Sequence, residues 1–380
     1  MSPLVGIFFA VLLSIRQAKA VGTAFGYAAA ATGGGSATPA IPSSNSELVS
    51  WLGDSTARVI LLDKIYDFTD AEGSVTGSVC SPWSCSPNPQ QLIDSSAGGC
   101  ENYSKTSATW KKAATTGITV GSNKTLLGKG SSGGIKGKGL AITNVKNVII
   151  QNIRITDLNP KYVWGGDAIA ISGSTNVWID HNYFQNVGRQ FIVSHYEANT
   201  ITISNNVFHG STTYSTGCDG HHYWVFLFVG KDDKITLAKN YIYWTAGRGP
   251  HIGGTSGYSQ LLHAYNNYLV SITGHALDAQ TGSKTIFEGN YFNTVTTPVT
   301  SDTSGAAYVP TTSTHASSCS TYLGRNCYLN SFLSSGSVSR ADIGAVPYFQ
   351  STSSVKSASI MDASQVPNYV QNNAGLGKVN

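Results

Sequence analysis

Apolar and polar residues alternate in short runs along most of this chain, and run after run closes on asparagine or glycine. Ala168 to Ile171 and Val177 to Ile179 are two such runs, set between a Gly165-Gly166 turn with Asp167 on one side and Arg189 on the other. No helical period runs between them. The unit recurs. Aligned on their closing asparagine, Ile149-Ile150-Gln151-Asn152, Ile179-Asp180-His181-Asn182, Ile203-Ser204-Asn205-Asn206, Leu237-Ala238-Lys239-Asn240, Ala264-Tyr265-Asn266-Asn267 and Phe287-Glu288-Gly289-Asn290 lie 30, 24, 34, 27 and 23 residues apart. A loose period with insertions predicts a solenoid in which each repeat is one coil and loops bulge from one side.

Residue types select the kind of solenoid. Helical and leucine-rich repeats need Leu or Ala at helical spacing, whereas these runs hold β-branched and aromatic residues. The pattern predicts an all-β, right-handed parallel β-helix with short capping helices, its asparagines stacked into an amide ladder from coil to coil. An antiparallel sandwich gives short strands too, but no reason for asparagine at one phase of every repeat. Ser44-Asn45-Ser46-Glu47 is a capping box ahead of Leu48, Val49, Trp51 and Leu52, which predicts a short helix laid across the open end of the first coil. Val59 to Leu62 reads as a buried strand and Cys80 to Cys100 as a cross-linked loop. After Asn290 the pattern decays into a Ser/Thr-rich tail, with a last helix near Ser364 to Asn373 that ends at Gly375.

Residues 1–20 read as a secretory signal: the apolar run Leu4 to Leu13 is too short to span a bilayer, and Ala18-Lys19-Ala20 is a small-x-small cleavage site. Residues 21–380 then form one domain, because a solenoid grows by adding coils. Secretion suits six cysteines, Cys80, Cys85, Cys100, Cys218, Cys319 and Cys327, read as three disulfides of open connectivity. It also suits the glycosylation sequons at Asn102 and Asn123. The formal charge of +4 counts Arg16 and Lys19 of the signal, and no basic block stands out, so nucleic acid and membrane are not expected partners.

Several motif matches carry no chemistry. Gly130-Ser131-Ser132-Gly133-Gly134 fits a nucleophile elbow, but no helix is predicted after the serine. Gly128 to Gly139 lacks the residue order of a phosphate loop. Asp232-Asp233, between Lys231 and Lys234, reads as a solvated turn rather than a pair of glycosidase carboxylates. His221 and His222 are adjacent, so on a strand they face opposite sides and cannot share a metal.

A positional argument remains. In each coil a second strand begins near Asp167, Arg189, Trp224, Arg248 and His275. With coils stacked about 4.8 Å apart, Asp167 and Arg189 are neighbours and Arg248 lies two coils further on, beyond Trp224. Any one of these residues alone reads as a surface ion pair or a loop arginine. An acid, two arginines and an aromatic phased onto one wall read as a site.

The same residues bring a resemblance. Val163-Trp164-Gly165-Gly166-Asp167, Val177-Trp178-Ile179-Asp180-His181, Gly188-Arg189-Gln190, Cys218-Asp219-Gly220 with His222-Tyr223-Trp224, and Gly247-Arg248-Gly249-Pro250 closely resemble the fungal-type pectin lyases of polysaccharide lyase family 1. The likeness runs from about Thr32 past Cys327 and includes Ser320 to Arg325. It implies a parallel β-helix that eliminates across methyl-esterified homogalacturonan as a monomer, without a cofactor. It places Arg248 at the catalytic arginine, with Asp167 and Arg189 supporting it, and lines the cleft with Trp83, Tyr103, Trp164, Tyr223 and Trp224. His251 joins them at the substrate. The implied disulfides are Cys80 to Cys100, Cys85 to Cys218 and Cys319 to Cys327. Three positions depart from the pattern: Phe191 stands for a histidine, Gly249-Pro250-His251 for Ser-Pro-Lys, and Gly99 for an aromatic.

The chemistry fits these residue types. β-Elimination removes the C5 proton of a uronic residue and expels the oxygen at C4, through an intermediate with negative charge on the carboxyl oxygens. An ester tolerates that charge better than a carboxylate and needs less electrostatic help. Pectate lyases supply such help with calcium held by carboxylates; here Arg189 is a fixed cation and no carboxylate cluster accompanies it. A polygalacturonase shares the fold but needs paired aspartates, which have no counterpart here. A non-catalytic polysaccharide-binding β-helix would not need Arg248.

Overall fold

The computed structural model describes residue 20 and residues 22–379; the signal reading falls outside them. Three parallel faces wind along one axis. The first is a nine-stranded sheet running from Arg58–Leu62 to Ala306–Tyr308. The other two faces join in a fifteen-stranded sheet, because the long strand Tyr268–Ala279 turns the corner and pairs on both. Solenoid strands pair in parallel at matched register, as in Val148 with Val177, Val177 with Ile201 and Ile201 with Ile235.

That register follows from the alternation read in the sequence. A one-residue slip would turn each apolar set to the outside. Ile150, Ile179, Ile203 and Leu237 stack in a column inside the first face, all fully buried. Inside the second face Phe184 stacks on Phe208 at 4.9 Å, and Phe226 meets Phe208 edge-on at 4.7 Å. Burying each such ring contributes about 1.5–3 kcal/mol.

The asparagine ladder is present, with two corrections. Each ladder amide nitrogen donates to the next asparagine's Oδ1, Asn182 to Asn206 at 3.0 Å and Asn240 to Asn267 at 2.9 Å. Asn152 is not a rung. Gln151 pairs with Asp180, so Ile153 holds the ladder phase, and Asn152 occupies the left-handed corner (φ 59°) shared by His181, Asn205 and Asn266. Asparagine tolerates that corner, which is why it masquerades as a rung. The pattern also does not end at Asn290: Asn330 accepts from the Asn290 amide at 3.1 Å, 40 residues on, with strands Tyr291–Val299 and Ser331–Leu333 paired beside it.

The N-terminal end is capped as expected. Helix Asn45–Gly53 starts at Ser44, whose hydroxyl accepts from the Glu47 N–H, and it buries Leu48 and Leu52 in the core. Val366–Asn373 forms the last helix, and its Val366 and Val370 cover tyrosines on the second face. The N-terminal segment, unassigned from sequence, lies along the outside of the first face, where its Ala28 N–H donates to Thr202 and its Tyr27 N–H to Thr236. Asp233 is a correction as well. It is fully buried, accepting from Asn199 and the Gly230 N–H, so only Asp232, the exposed first residue of strand Asp232–Ala238, faces solvent.

Candidate active site

The third face carries the wall. Its strands Ile169–Ser172, Ile192–Ser194, Phe226–Phe228 and His251–Ile252 are consecutive neighbours, so the residues just ahead of them are stacked too. The Arg189 N–H donates to Gly166, Phe191 N–H to Trp224 and Phe226 N–H to Arg248. Asp167, Arg189, Trp224 and Arg248 therefore stand on successive coils, in the order read from sequence.

Asp167 is held at both oxygens: the Gln190 N–H donates to Oδ1 at 2.7 Å and Arg189 Nη1 to Oδ2 at 3.1 Å. Burial pushes its carboxyl above the usual range, against the pull of Arg189, the Gln190 N–H and Arg248. Arg189 lies over Trp164, its guanidinium carbon 4.0 Å from the ring centroid. Arg248 sits over Trp224 at 4.7 Å and Tyr223 at 5.9 Å. Burial holds the Arg248 guanidinium below its ordinary value, and Arg189 adds to that shift while Tyr223 and Asp278 oppose it.

Arg248 has a left-handed backbone (φ 50°), uncommon for a bulky residue. Its N–H donates to His275 Nε2 at 3.1 Å, and burial lowers the His275 pKa, keeping that nitrogen free to accept. Gly247 precedes it because a Cβ there would lie 2.4 Å from the Tyr223 ring. His251 Nδ1 lies 2.6 Å from Asp278.

Sequence reasoning missed three supports. Gln90 accepts from Trp224 Nε1 at 2.9 Å and donates to Gly188, fixing the indole. His222 Nε2 faces the Arg189 and Trp224 carbonyls at 2.9 and 3.0 Å, and burial pulls its pKa down to about 4. His275 is the third. Only His275 had a signal, its phase one coil beyond Arg248. Phe191 is fully buried against Phe184 and His222, so this departure belongs to the core and not to the wall.

The expected aromatics mostly assemble. Trp83 meets Trp224 edge-on at 6.3 Å and packs with Trp164 around Leu92 and Val163. Tyr103 does not join them: it is exposed, without a ring contact among the described residues. The Trp83 segment hangs from a separate four-stranded sheet in which Ser74–Cys80 and Lys105–Lys111 are antiparallel. The disulfides pair as Cys80–Cys100, Cys85–Cys218 and Cys319–Cys327. Of the sequons, Asn102 is exposed, while Asn123 lies in a left-handed turn with its Oδ1 accepting from Asn147.

Two bridges tie the Trp83 segment, whereas the coils hold one another through backbone ladders. Reduction should therefore expose residues 81–104 to protease before any coil is cut. First cleavage within the coils would contradict this.

A calcium ion requires about six to eight oxygen ligands. The wall supplies two carboxylates, Asp167 and Asp278, already engaged by Arg189 and His251, and no three His, Cys, Asp or Glu side chains converge among the described residues. The residues present do not fit a calcium centre; they fit a site that handles negative charge with guanidinium groups.

Known proteins share the sequence family and the fold. The family described as pectate lyase matches residues 1–379. "Pectin lyase B" of Emericella nidulans is 46% identical over 376 residues, covering 97% of each chain. "Probable pectin lyase F-2" of Aspergillus terreus is 45% identical over 364 residues, 94% of this chain and 74% of its own. Among solved structures, pectate lyase Bsp165PelA from Bacillus sp. N165 in complex with trigalacturonate shares the fold, with a TM-score of 0.61 at 20% identity over 93% of this chain and 99% of that one. The chain belongs to the pectate lyase family and groups there with the fungal pectin lyases.

Proposed function

We propose that the protein is a secreted, monomeric pectin lyase that cleaves methyl-esterified α-1,4-galacturonan by β-elimination. The observation that carries this reading is the pair of arginines laid over Trp164 and Trp224 at 4.0 and 4.7 Å, with Asp167 as the carboxylate bound between coils. Arg248 takes the C5 proton, the electron pair left at C5 forms the C4–C5 double bond, and the C4–O bond breaks with its oxygen taking a proton. Arg189 opposes the negative charge that builds on the ester carbonyl oxygen in between. Arginine normally stays protonated, so a base role needs a lowered affinity for its proton, which burial and the Arg189 charge both favour. Trp83, Trp164, Tyr223 and Trp224 offer an apolar wall suited to an esterified chain, with His251 at its edge. Relatives that carry the name pectin lyase support the substrate class.

The test is incubation with highly esterified pectin and with polygalacturonate, each with and without excess chelator, followed by the ultraviolet absorbance of the C4–C5 double bond. The expected result is product from esterified pectin at a rate the chelator leaves unchanged. Activity on polygalacturonate that needs added calcium would overturn the proposal, and so would binding without product.

A further inference from the structure

Trp244 stands apart from the wall and from every packing cluster in the core. It is 46% exposed, and its backbone is left-handed (φ 57°). Left-handed backbone is uncommon outside glycine, asparagine and aspartate, and a large aromatic there is strained. The indole lies nearly parallel to the His221 imidazole, with centroids 4.7 Å apart and planes 13° apart. One face is thereby covered, so the exposed area belongs to the other face and the rim. His221 is itself fixed: its Nδ1 lies 2.8 Å from the Asp219 carbonyl, its N–H donates to Asp219 Oδ1, and Thr273 donates to Asp219 Oδ2. The left-handed bend is the corner that Ser271 and Thr294 repeat in the next coils, and it points Trp244 outward; the preceding coil has Gly210 there, where a Cβ would lie 2.0 Å from the Trp244 carbonyl.

Its location relates it to the wall. His222 bridges to Thr245, which sets His221 beside Trp244 and leads the same segment on to Arg248. Four residues reach at most about 14 Å, so an oligosaccharide bound at Arg248 can extend to the indole. Among the described residues no lysine or arginine stacks on this indole, so its open face suits the apolar face of a neutral or esterified sugar ring.

We propose that Trp244, held flat by His221, is an additional stacking platform for the galacturonan chain, outside the aromatic wall around Arg248. The substrate assignment rests on the pectin lyase reading; the platform itself does not require turnover. Trp244→Asn is the informative variant, because asparagine accepts the left-handed backbone. It should fold with an unchanged or raised melting temperature, retain kcat, and raise KM for long esterified pectin by roughly five- to tenfold. Trp244→Tyr should recover most of that loss. Retardation in gels containing esterified pectin should fall in Trp244→Asn by a similar factor, and this readout stands even if no unsaturated product is ever formed. A lowered melting temperature with unchanged KM and unchanged retardation would mean that Trp244 only packs against His221, and would overturn the proposal.

Discussion

Replacing Arg248 by lysine should leave a folded protein that binds esterified pectin and turns it over roughly 10²–10⁴ times more slowly. The substitution keeps a cation, and a free lysine gives up its proton more easily than arginine. If basicity alone mattered, the variant would be the better enzyme. Placement argues otherwise. The guanidinium carbon lies over the Trp224 ring at 4.7 Å, and its main chain is fixed by His275 on one side and Phe226 on the other. A lysine ammonium has no plane to stack and ends short of the terminal guanidinium nitrogens. KM should change little, because the substrate contacts proposed for Trp83, Trp164 and Trp224 are retained in the variant. Steady-state kinetics on esterified pectin, with circular dichroism as the control for folding, decides the matter. Near-normal turnover in a folded Arg248→Lys protein would remove the assignment and pass the role to His251, which already has Asp278 as its partner at 2.6 Å.

Much of this placement is legible without coordinates, for a physical reason. A solenoid converts sequence phase into spatial position, so residues at one phase become neighbours once the coils stack. Asp167, Arg189, Trp224 and Arg248 follow that rule. Legibility fails where one residue type serves two backbone roles. Asn152 imitates a rung because asparagine suits both the ladder and the left-handed corner before it. It fails again where a loop of the wrong length interrupts the phase, as between Asn290 and Asn330. Asp233 was hidden by its charged neighbours, although its carboxylate is satisfied inside the fold. Gln90 gave no signal at all, since its reach to Trp224 crosses from the side sheet to the wall.

Asp167 and Arg189 test whether the wall acts as an electrostatic unit. Both side chains are largely buried, 17% and 15% exposed, and they face each other across neighbouring coils at 3.1 Å. Removing one member of a buried pair leaves the other desolvated and unpartnered, which costs about 3–5 kcal/mol. Trp164 still covers Arg189, so Asp167→Ala should fall near the low end of that range in urea unfolding. Arg189→Met paired with Asp167→Ala should restore part of the loss, giving a coupling of at least about 1 kcal/mol. The effect on catalysis has a sign. Arg248 must lose its proton to act as the base, so activity rises with pH along the limb set by its proton affinity. Above the pH at which Asp167 ionises, Asp167→Asn leaves the Arg189 charge uncompensated, which lowers that affinity further and moves the limb to lower pH. Arg189→Met removes the repulsion and moves it to higher pH, while also lowering kcat because the charge on the ester oxygen loses its partner. Opposite displacements of the two profiles are the expected result. Two profiles that fall in height without moving, together with additive losses of stability, would show that the pair only braces the coils and that Arg248 does not titrate under its influence.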